Sequence, residues 1–505
     1  MNTGTLETDK KSYKQILKST SIMGGSQVIT IFLRIIRTKV LAVILGPTGV
    51  GLIGIYDSIT SLAGIAAGLG IGTSGVRQIA EAFSTGDQEK ISRTITCLRR
   101  IALISGAAGL MILLLLSWPI SQLTFNDTKH ARDIALLSIT ILFSAISGGQ
   151  TALIQGMRRI RDLAKLSILG AFLGTVVSIP IVYVWGEKGI VLFLIVVSAM
   201  SIVTSWWYSR KIKVQNVALT WKDIIFEAKP LLRLGFVFMM TGLMTAGSMY
   251  LLRVIVVRYL GLGAAGMYQA ATTLSALYVG FILDAMGRDF YPQLTAIAQD
   301  NLACTSLVNK QIEVGLLLAL PGILATMTLA PVVINIFYSA KFLPAYDVLR
   351  WQMLGIALRI ISWPMGFLLI AKGNGRAFFW TELISISIHL VLIYIGVKFF
   401  GLTGTGMAFF VMYCFYGVMM YRVIRGYYGF SLSLINIRIG AIAFVTMGII
   451  FLTPYLISNT WSIFVNMGVT VLIGLYSAKK LYSIVGPQAI SNFLFKIKLR
   501  FRKKG

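Results

Sequence analysis

The sequence predicts an all-α polytopic membrane protein with about fourteen transmembrane helices, arranged as two pseudo-symmetric six-helix lobes and two C-terminal helices. Three observations predict it. The 505 residues are 56% hydrophobic and only 13% charged, with a mean hydropathy of +0.80, far from a soluble globular domain. Apolar runs of about 20 residues, enough to cross a hydrocarbon core of roughly 30 Å, recur from end to end. The two halves also repeat one another. Ile31 to Ile53 reads IFLRIIRTKVLAVILGPTGVGLI and Tyr250 to Tyr268 reads YLLRVIVVRYLGLGAAGMY. Both are basic helices running into an L-G-x-x-x-x-G turn.

The register continues past these turns. Trp118-Pro119-Ile120 answers to Ala330-Pro331-Val332, Gln155-Gly156 to Lys372-Gly373, and Gly186-Glu187-Lys188-Gly189 to Gly401-Leu402-Thr403-Gly404. Duplicated halves in an apolar chain are a transporter signature.

In chain order, spans are expected near 19–45, 50–73, 100–121, 133–155, 165–185 and 188–208, forming an N-terminal lobe over 1–213. A cytoplasmic linker over 214–230 follows. The second lobe, 231–425, holds spans near 232–258, 265–286, 311–335, 348–371, 377–398 and 403–424. Two extra helices, 434–457 and 461–482, fill 426–482 and have no counterpart in the first half. A basic cytoplasmic tail, 483–505, ends FLFKIKLRFRKKG and is expected to lie on the anionic inner leaflet. The stretches 76–99 and 287–310 read as paired amphipathic surface helices. The polar start MNTGTLETDKKSYKQ has no cleavage site, so no signal peptide is expected before the first span.

Orientation follows from the loops. Lys10, Lys11, Lys14, Lys18, Arg77 to Arg100, Arg158, Arg159, Arg161, Arg210, Lys211, Lys213, Lys372, Arg376, Arg422 and Arg425 fall on one side. Only Lys129, Arg132, Lys188, Lys341, Arg350 and Lys398 fall on the other. The positive-inside rule then places both termini in the cytoplasm. The net charge of +28 is spread over short interhelical loops and not gathered on one face, which argues against nucleic-acid binding. Three distant cysteines and two histidines, His130 and His389, give neither a disulfide framework nor a metal site.

Two G-x-G-x-x-G matches, Gly70 to Gly75 and Gly261 to Gly266, follow no strand of a βαβ unit. Helix packing and tight turns account for them better than a nucleotide does. No Walker A, H-E-x-x-H or G-x-S-x-G occurs, so ATP-driven transport by this chain alone and hydrolytic catalysis are unsupported.

Charges inside the spans carry the chemistry, because each costs at least about 2.5 kcal/mol to insert at mid-bilayer. Arg34 and Arg37 share a helical face by i,i+3 spacing. Asp57, at similar depth in the second span, reads either as a structural partner of Arg37 or as a residue that tunes it or carries a coupling ion. Arg253 occupies the matching helix of the second half. Arg258 is close enough to the boundary to snorkel. Arg359 lies mid-span with no acid within a turn of it. Asp284 and Arg288 are spaced to pair, and His389 is expected to make an interhelical hydrogen bond. Cations outnumber acids, so Arg34, Arg37, Arg253 and Arg359 are expected to line a cavity for an anion. Guanidinium forks suit phosphate oxygens.

The basic first helix, the LGPTGVG turn at Leu45 to Gly51, GLGIGTSGVRQIAEA at Gly68 to Ala82, the duplication and ALIQGMRRI at Ala152 to Ile160 resemble the polysaccharide flippases of the MOP superfamily. Within it, the chain is most similar to the Wzx-type O-antigen translocases. The resemblance covers essentially the whole chain. It implies a non-enzymatic inner-membrane transporter in lipopolysaccharide biosynthesis. Such a transporter moves an undecaprenyl-pyrophosphate-linked oligosaccharide from the inner to the outer leaflet by alternating access. It implies arginines on the pyrophosphate, with Arg34 or Arg37 and Arg253 matching the cationic first and seventh helices. It implies no bound cofactor, Na+ or H+ as the open choice of coupling ion, a monomer, and polymerase and glycosyltransferase partners. A multidrug antiporter of the same superfamily is the alternative transporter, disfavoured by the sign of the interior charge. An oligosaccharide polymerase is the alternative enzyme, disfavoured by outer loops of roughly 3 to 15 residues.

Overall fold

In a computed structural model the described residues are 3–212, 214, 215, 217, 220–457 and 459–485. The tail from 486 on, and the side chains of Lys10, Lys11, Lys14, Lys18, Asp284 and Arg288, lie outside that description, and with them the expected tail contact and the Asp284–Arg288 pair. No β-strand occurs among the described residues. In order, the helices are α1 (Thr3–Gly68), α2 (Ile71–Thr85), α3 (Gln88–Leu115), α4 (Ser117–Phe125), α5 (Ala131–Gly156), α6 (Ile160–Trp185) and α7 (Gly189–Ser209). There follow α8 (Trp221–Ala296), α9 (Asn301–Thr328), α10 (Ala330–Phe337), α11 (Tyr346–Ala371), α12 (Gly375–Tyr428), α13 (Leu434–Leu456) and α14 (Asn459–Val485).

Nine stretches among the described residues are long and apolar enough to cross a membrane. Three of them, of 50, 47 and 54 residues, are long enough to cross twice. The fold is that of a polytopic all-α membrane protein.

The duplication is written into the backbone. α1 breaks at Gly46 (φ 65°, ψ −169°) and α8 at Gly261 (φ 83°, ψ 174°), a conformation that a residue with a Cβ avoids. Pro47 then opens the second half of α1, where its missing N–H has no helical partner to lose. Gly186 (φ 57°, ψ −136°) and Gly401 (φ 59°, ψ −137°) repeat the pattern. Asp87 caps α3 by accepting from the amides of Glu89 and Lys90, and Asp300 caps α9 by accepting from Leu302 and Ala303. These caps divide each stretch expected as one amphipathic surface helix. α3 and α9 therefore begin about ten residues before the spans read from hydropathy.

One register assignment is corrected. Gly373 (φ 75°) corresponds to Arg158 (φ 53°) and not to Gly156. Arg158 N–H donates to Gln155 O at 3.0 Å and Arg159 N–H to Ile154 O at 3.0 Å. Gly373 donates to Ile370 O at 3.0 Å and Asn374 to Leu369 O at 2.9 Å, so the same helix-ending bonds close both turns. Gly156 is small for another reason, since a Cβ there would lie 2.7 Å from Ile79.

The chain forms two compact units, one of residues up to 266 with 337–339, the other of 267–336 with 340 onward. This differs from the expected lobe boundary at 214–230. The reason is that the start of α8 is built into the first unit. Ile224, Ala228 and Leu231 join a core with Ile79, Ile95, Leu98 and Leu153. Further along α8, Gly235 packs on the backbone of Leu69 and Gly70, and Gly266 on that of Pro47 and Gly51. Lipid is as apolar as leucine, so helices in a bilayer associate through such close approaches and through polar contacts.

In the second unit the terminal pair is docked by polar groups. Asn436 Nδ2 donates to Asn309 O at 2.9 Å, Asn309 Oδ1 accepts from the Ser433 amide at 2.9 Å, and the hydroxyls of Thr328 and Thr470 lie 3.2 Å apart. At the other end of α13, Pro454 has no N–H, which leaves the carbonyl of Ile450 without its helical donor. Arg350 Nη2 from α11 donates to that oxygen at 3.1 Å and also to Phe451 O, and Asn466 Nδ2 from α14 reaches Ile450 O at 3.4 Å. The guanidinium lies 4.4 Å from the centroid of the Phe451 ring. Loop charge alone places Arg350 in an outer loop. It is 1% exposed.

Candidate functional site

The first half of α1 presents Arg34, exposed, and Arg37, half-buried, on one face. Both line a cavity of about 480 Å³ within the first unit. The other walls are hydroxyl-rich, with Thr30 from α1, Ser147 and Thr151 from α5, Ser167 from α6, and Ser201 and Thr204 from α7. Most of these hydroxyls donate to carbonyls of their own helix, as Thr151 does to Ser147 O at 2.8 Å and Ser201 to Val197 O at 3.1 Å. Their hydrogens are engaged and their lone pairs are left over. Arg37 reaches toward α6, where a Cβ on Gly174 would lie 3.2 Å from Nη1. A side chain there would press the guanidinium aside.

The second half of α1 carries Asp57, which is exposed on the first unit with Arg253 and Arg37 as its cationic neighbours. Arg253, half-buried on α8, donates from Nη1 to the carbonyl of Gly54 and to Ser58 Oγ. Its two cationic neighbours differ, one tied to the backbone of α1 and one facing the hydroxyl-lined cavity. The arrangement concentrates positive charge and leaves one acid to offset three arginines. Arg258, expected to snorkel, is exposed and donates from Nη2 to Gln122 O at 2.8 Å.

Arg359 belongs to the second unit. There its charged neighbour is Glu382 of α12, whose Oε1 accepts from Tyr416 Oη at 2.8 Å. Sequence spacing could not find this acid, which arrives from the next helix. The expected hydrogen bond of His389 is absent among the described residues. Its buried Nε2 has no partner, and the ring meets Phe409 edge-on at 6.1 Å. A further polar cluster escaped the sequence reading: buried Tyr56 donates to Asp133 Oδ2 at 2.7 Å and lies 3.0 Å from His130 Nδ1. The cavity hydroxyls left a faint signal in the i,i+4 spacing of Ser147 and Thr151.

Comparison with known proteins agrees with this architecture. Residues 40–347 match the family described as polysaccharide biosynthesis protein. The Lipid III flippase of Escherichia coli (strain K12) is 22% identical over 415 residues, covering 79% of this chain and 96% of that protein. The same figures hold for the Lipid III flippase of Shigella flexneri. Among solved structures, the lipid II flippase MurJ in an inward closed conformation superposes with a TM-score of 0.70 at 14% identity, over 92% of this chain and 99% of that one. An inward-facing multidrug resistance MATE family transporter of the MOP superfamily gives 0.67 at 16% identity, over 79% and 94%. This chain belongs to the polysaccharide biosynthesis protein family and has the fold of the MOP superfamily.

Proposed function

We propose that this chain is a flippase, not an enzyme. It moves an undecaprenyl-pyrophosphate-linked oligosaccharide, an O-antigen or similar surface-glycan repeat unit, from the inner to the outer leaflet of the cytoplasmic membrane by alternating access. The observation that carries this reading is the hydroxyl-lined cavity holding Arg34 and Arg37, beside an acid faced by both Arg37 and Arg253. A doubly charged phosphate group entering there meets guanidinium forks that an excess of cation over acid leaves available in charge. Arg34, Arg37 and Arg253 bind the pyrophosphate as fixed charges. Arg359 is an anion contact of its own unit with Glu382 as its charged neighbour, and Asp57 is the acid that offsets Arg37 and Arg253. The relatives named as flippases of lipid-linked substrates support the same assignment.

The test is a clean deletion in the parent organism, made where no second flippase substitutes. Surface glycan should disappear, and lipid-linked repeat units should accumulate on the cytoplasmic face, where an added glycosidase in inverted vesicles reaches them. Normal surface glycan in that strain sinks the proposal.

A further inference from the structure

A second cavity, of about 430 Å³, opens in the first unit beside the arginine cavity. α5 gives Ser144 and Gly148 to this cavity and Ser147 and Thr151 to the other. α7 gives Ser198 to this one and Ser201 to the other. Its volume lies within the small-ligand range of about 300–1,000 Å³. Its lining is made of hydroxyls, glycines, alanines and the isoleucines Ile65 and Ile71, with no charged and no aromatic side chain.

Two of these glycines, Gly64 and Gly148, are not there for packing, whereas a Cβ on Gly149 would lie 3.2 Å from that of Ala102. A Cβ added to Gly148 would meet nothing within 4 Å, and one on Gly64 would meet only Ser144 Oγ at 3.7 Å. Elsewhere in the same unit glycines do serve contact, since a Cβ on Gly106 would lie 2.8 Å from that of Ala145 and one on Gly75 2.7 Å from Leu98. Gly64 and Gly148 lie inside helices, where alanine would be more favourable by about 0.5–1 kcal/mol each. What they provide is empty space.

The second repeat shows the alternative. About 215 residues on, in the register fixed by the glycine breaks, Gly148 is replaced by Trp363, Ser144 by Arg359 and Ser198 by Tyr413. The Trp363 indole packs against Gly287, where a Cβ would meet it at 2.9 Å, and lies 4.5 Å from the Phe367 ring. At these positions the second repeat carries large side chains. In the first unit the space is kept hollow.

We propose that this cavity is a sugar subsite, which takes uncharged sugar residues of the lipid-linked headgroup next to the pyrophosphate held by the arginines. The proposal rests on the flippase reading above. Serine and threonine hydroxyls that donate to their own helices, as Ser144 does to Ile141 O at 2.9 Å and Ser198 to Leu194 O at 2.9 Å, offer lone pairs to sugar hydroxyls. A uronic acid or a free amino sugar would be desolvated there with no opposite charge to meet it. The absence of an aromatic platform keeps the hold loose, as suits a headgroup that has to be released.

The test uses purified full-length protein in nanodiscs and two probes, undecaprenyl pyrophosphate and the same lipid carrying a neutral N-acetylhexosamine disaccharide. Wild type should bind the glycosylated lipid about tenfold more tightly than the bare one. Gly148→Leu should erase that preference and leave bare-lipid affinity unchanged. The double variant Gly64→Ala/Gly148→Ala, which adds no steric conflict with the protein, should weaken the preference with a melting temperature equal to or above that of wild type. A lipid bearing a uronic acid disaccharide should bind no better than the bare lipid. Retention of the wild-type preference in both variants overturns the subsite, as does a wild type that treats neutral-sugar and bare lipids alike. If wild type binds neither lipid, the flippase reading fails first and the subsite falls with it.

Discussion

Each arginine within the spans has a different tie to the protein, and the ties predict different failures. Arg34 and Arg37 have no hydrogen-bond partner among the described residues, so replacing Arg34 by alanine should abolish glycan export at unchanged membrane level and melting temperature. Arg253 also holds the Gly54 carbonyl and Ser58. Its alanine variant should lose export and, in addition, about 1–3 kcal/mol of stability, read as a lowered melting temperature in detergent. Lysine at Arg34 or Arg37 should rescue only in part, because it keeps the charge and loses the fork. Arg258→Gln should export normally, since it is exposed and an amide still donates to Gln122 O. Full export by the alanine variants of Arg34, Arg37 and Arg253 refutes the anion site. Spacing alone made Arg34 and Arg37 legible as a pair. It could not supply Glu382 beside Arg359, or the missing partner of His389, because those depend on which helix comes next to which.

At the scale of helices, the sequence marked the breaks well and their consequences poorly. Gly46, Gly186, Gly261 and Gly401 were readable as paired turns, and all four adopt positive φ. Arg350 was misplaced because it lies close to a span boundary and its partners are 100 residues away. Pro454 announces an orphaned carbonyl four residues earlier, at Ile450, yet nothing local names the donor. A double-mutant cycle follows from this junction. Arg350→Met should lower the melting temperature, with a loss of about 1–3 kcal/mol for the uncovered carbonyls. Pro454→Ala restores an N–H that can serve Ile450 O, so Arg350→Met should do less harm in that background, with a coupling energy of about 0.5–3 kcal/mol. Additive losses would mean that Arg350 acts through its ring contacts alone.

For the molecule as a whole, the fold class, the duplication and the all-helical membrane architecture were legible from hydropathy and repeated text. Sidedness rests on loop charge. Reporter fusions after Lys129, Glu187 and Lys398 should report the outside, and fusions after Arg161, Lys213 and Arg376 the inside. One site reporting the opposite face would break the span count at that point. The unit boundary was not legible, because composition changes at 214–230 whereas packing continues to Gly266. That continuation sets the order in which the protein can be made. A nascent chain ending at residue 213 already contains every helix of the first repeat, but not Gly235, Tyr250, Arg253 or Gly266. Until α8 emerges, Thr124 lacks its 2.7 Å partner Tyr250, and the backbone at Gly51 and Gly70 lies bare to lipid or to whatever insertion factor shields it. The first repeat therefore completes these contacts only after some fifty further residues have been translated.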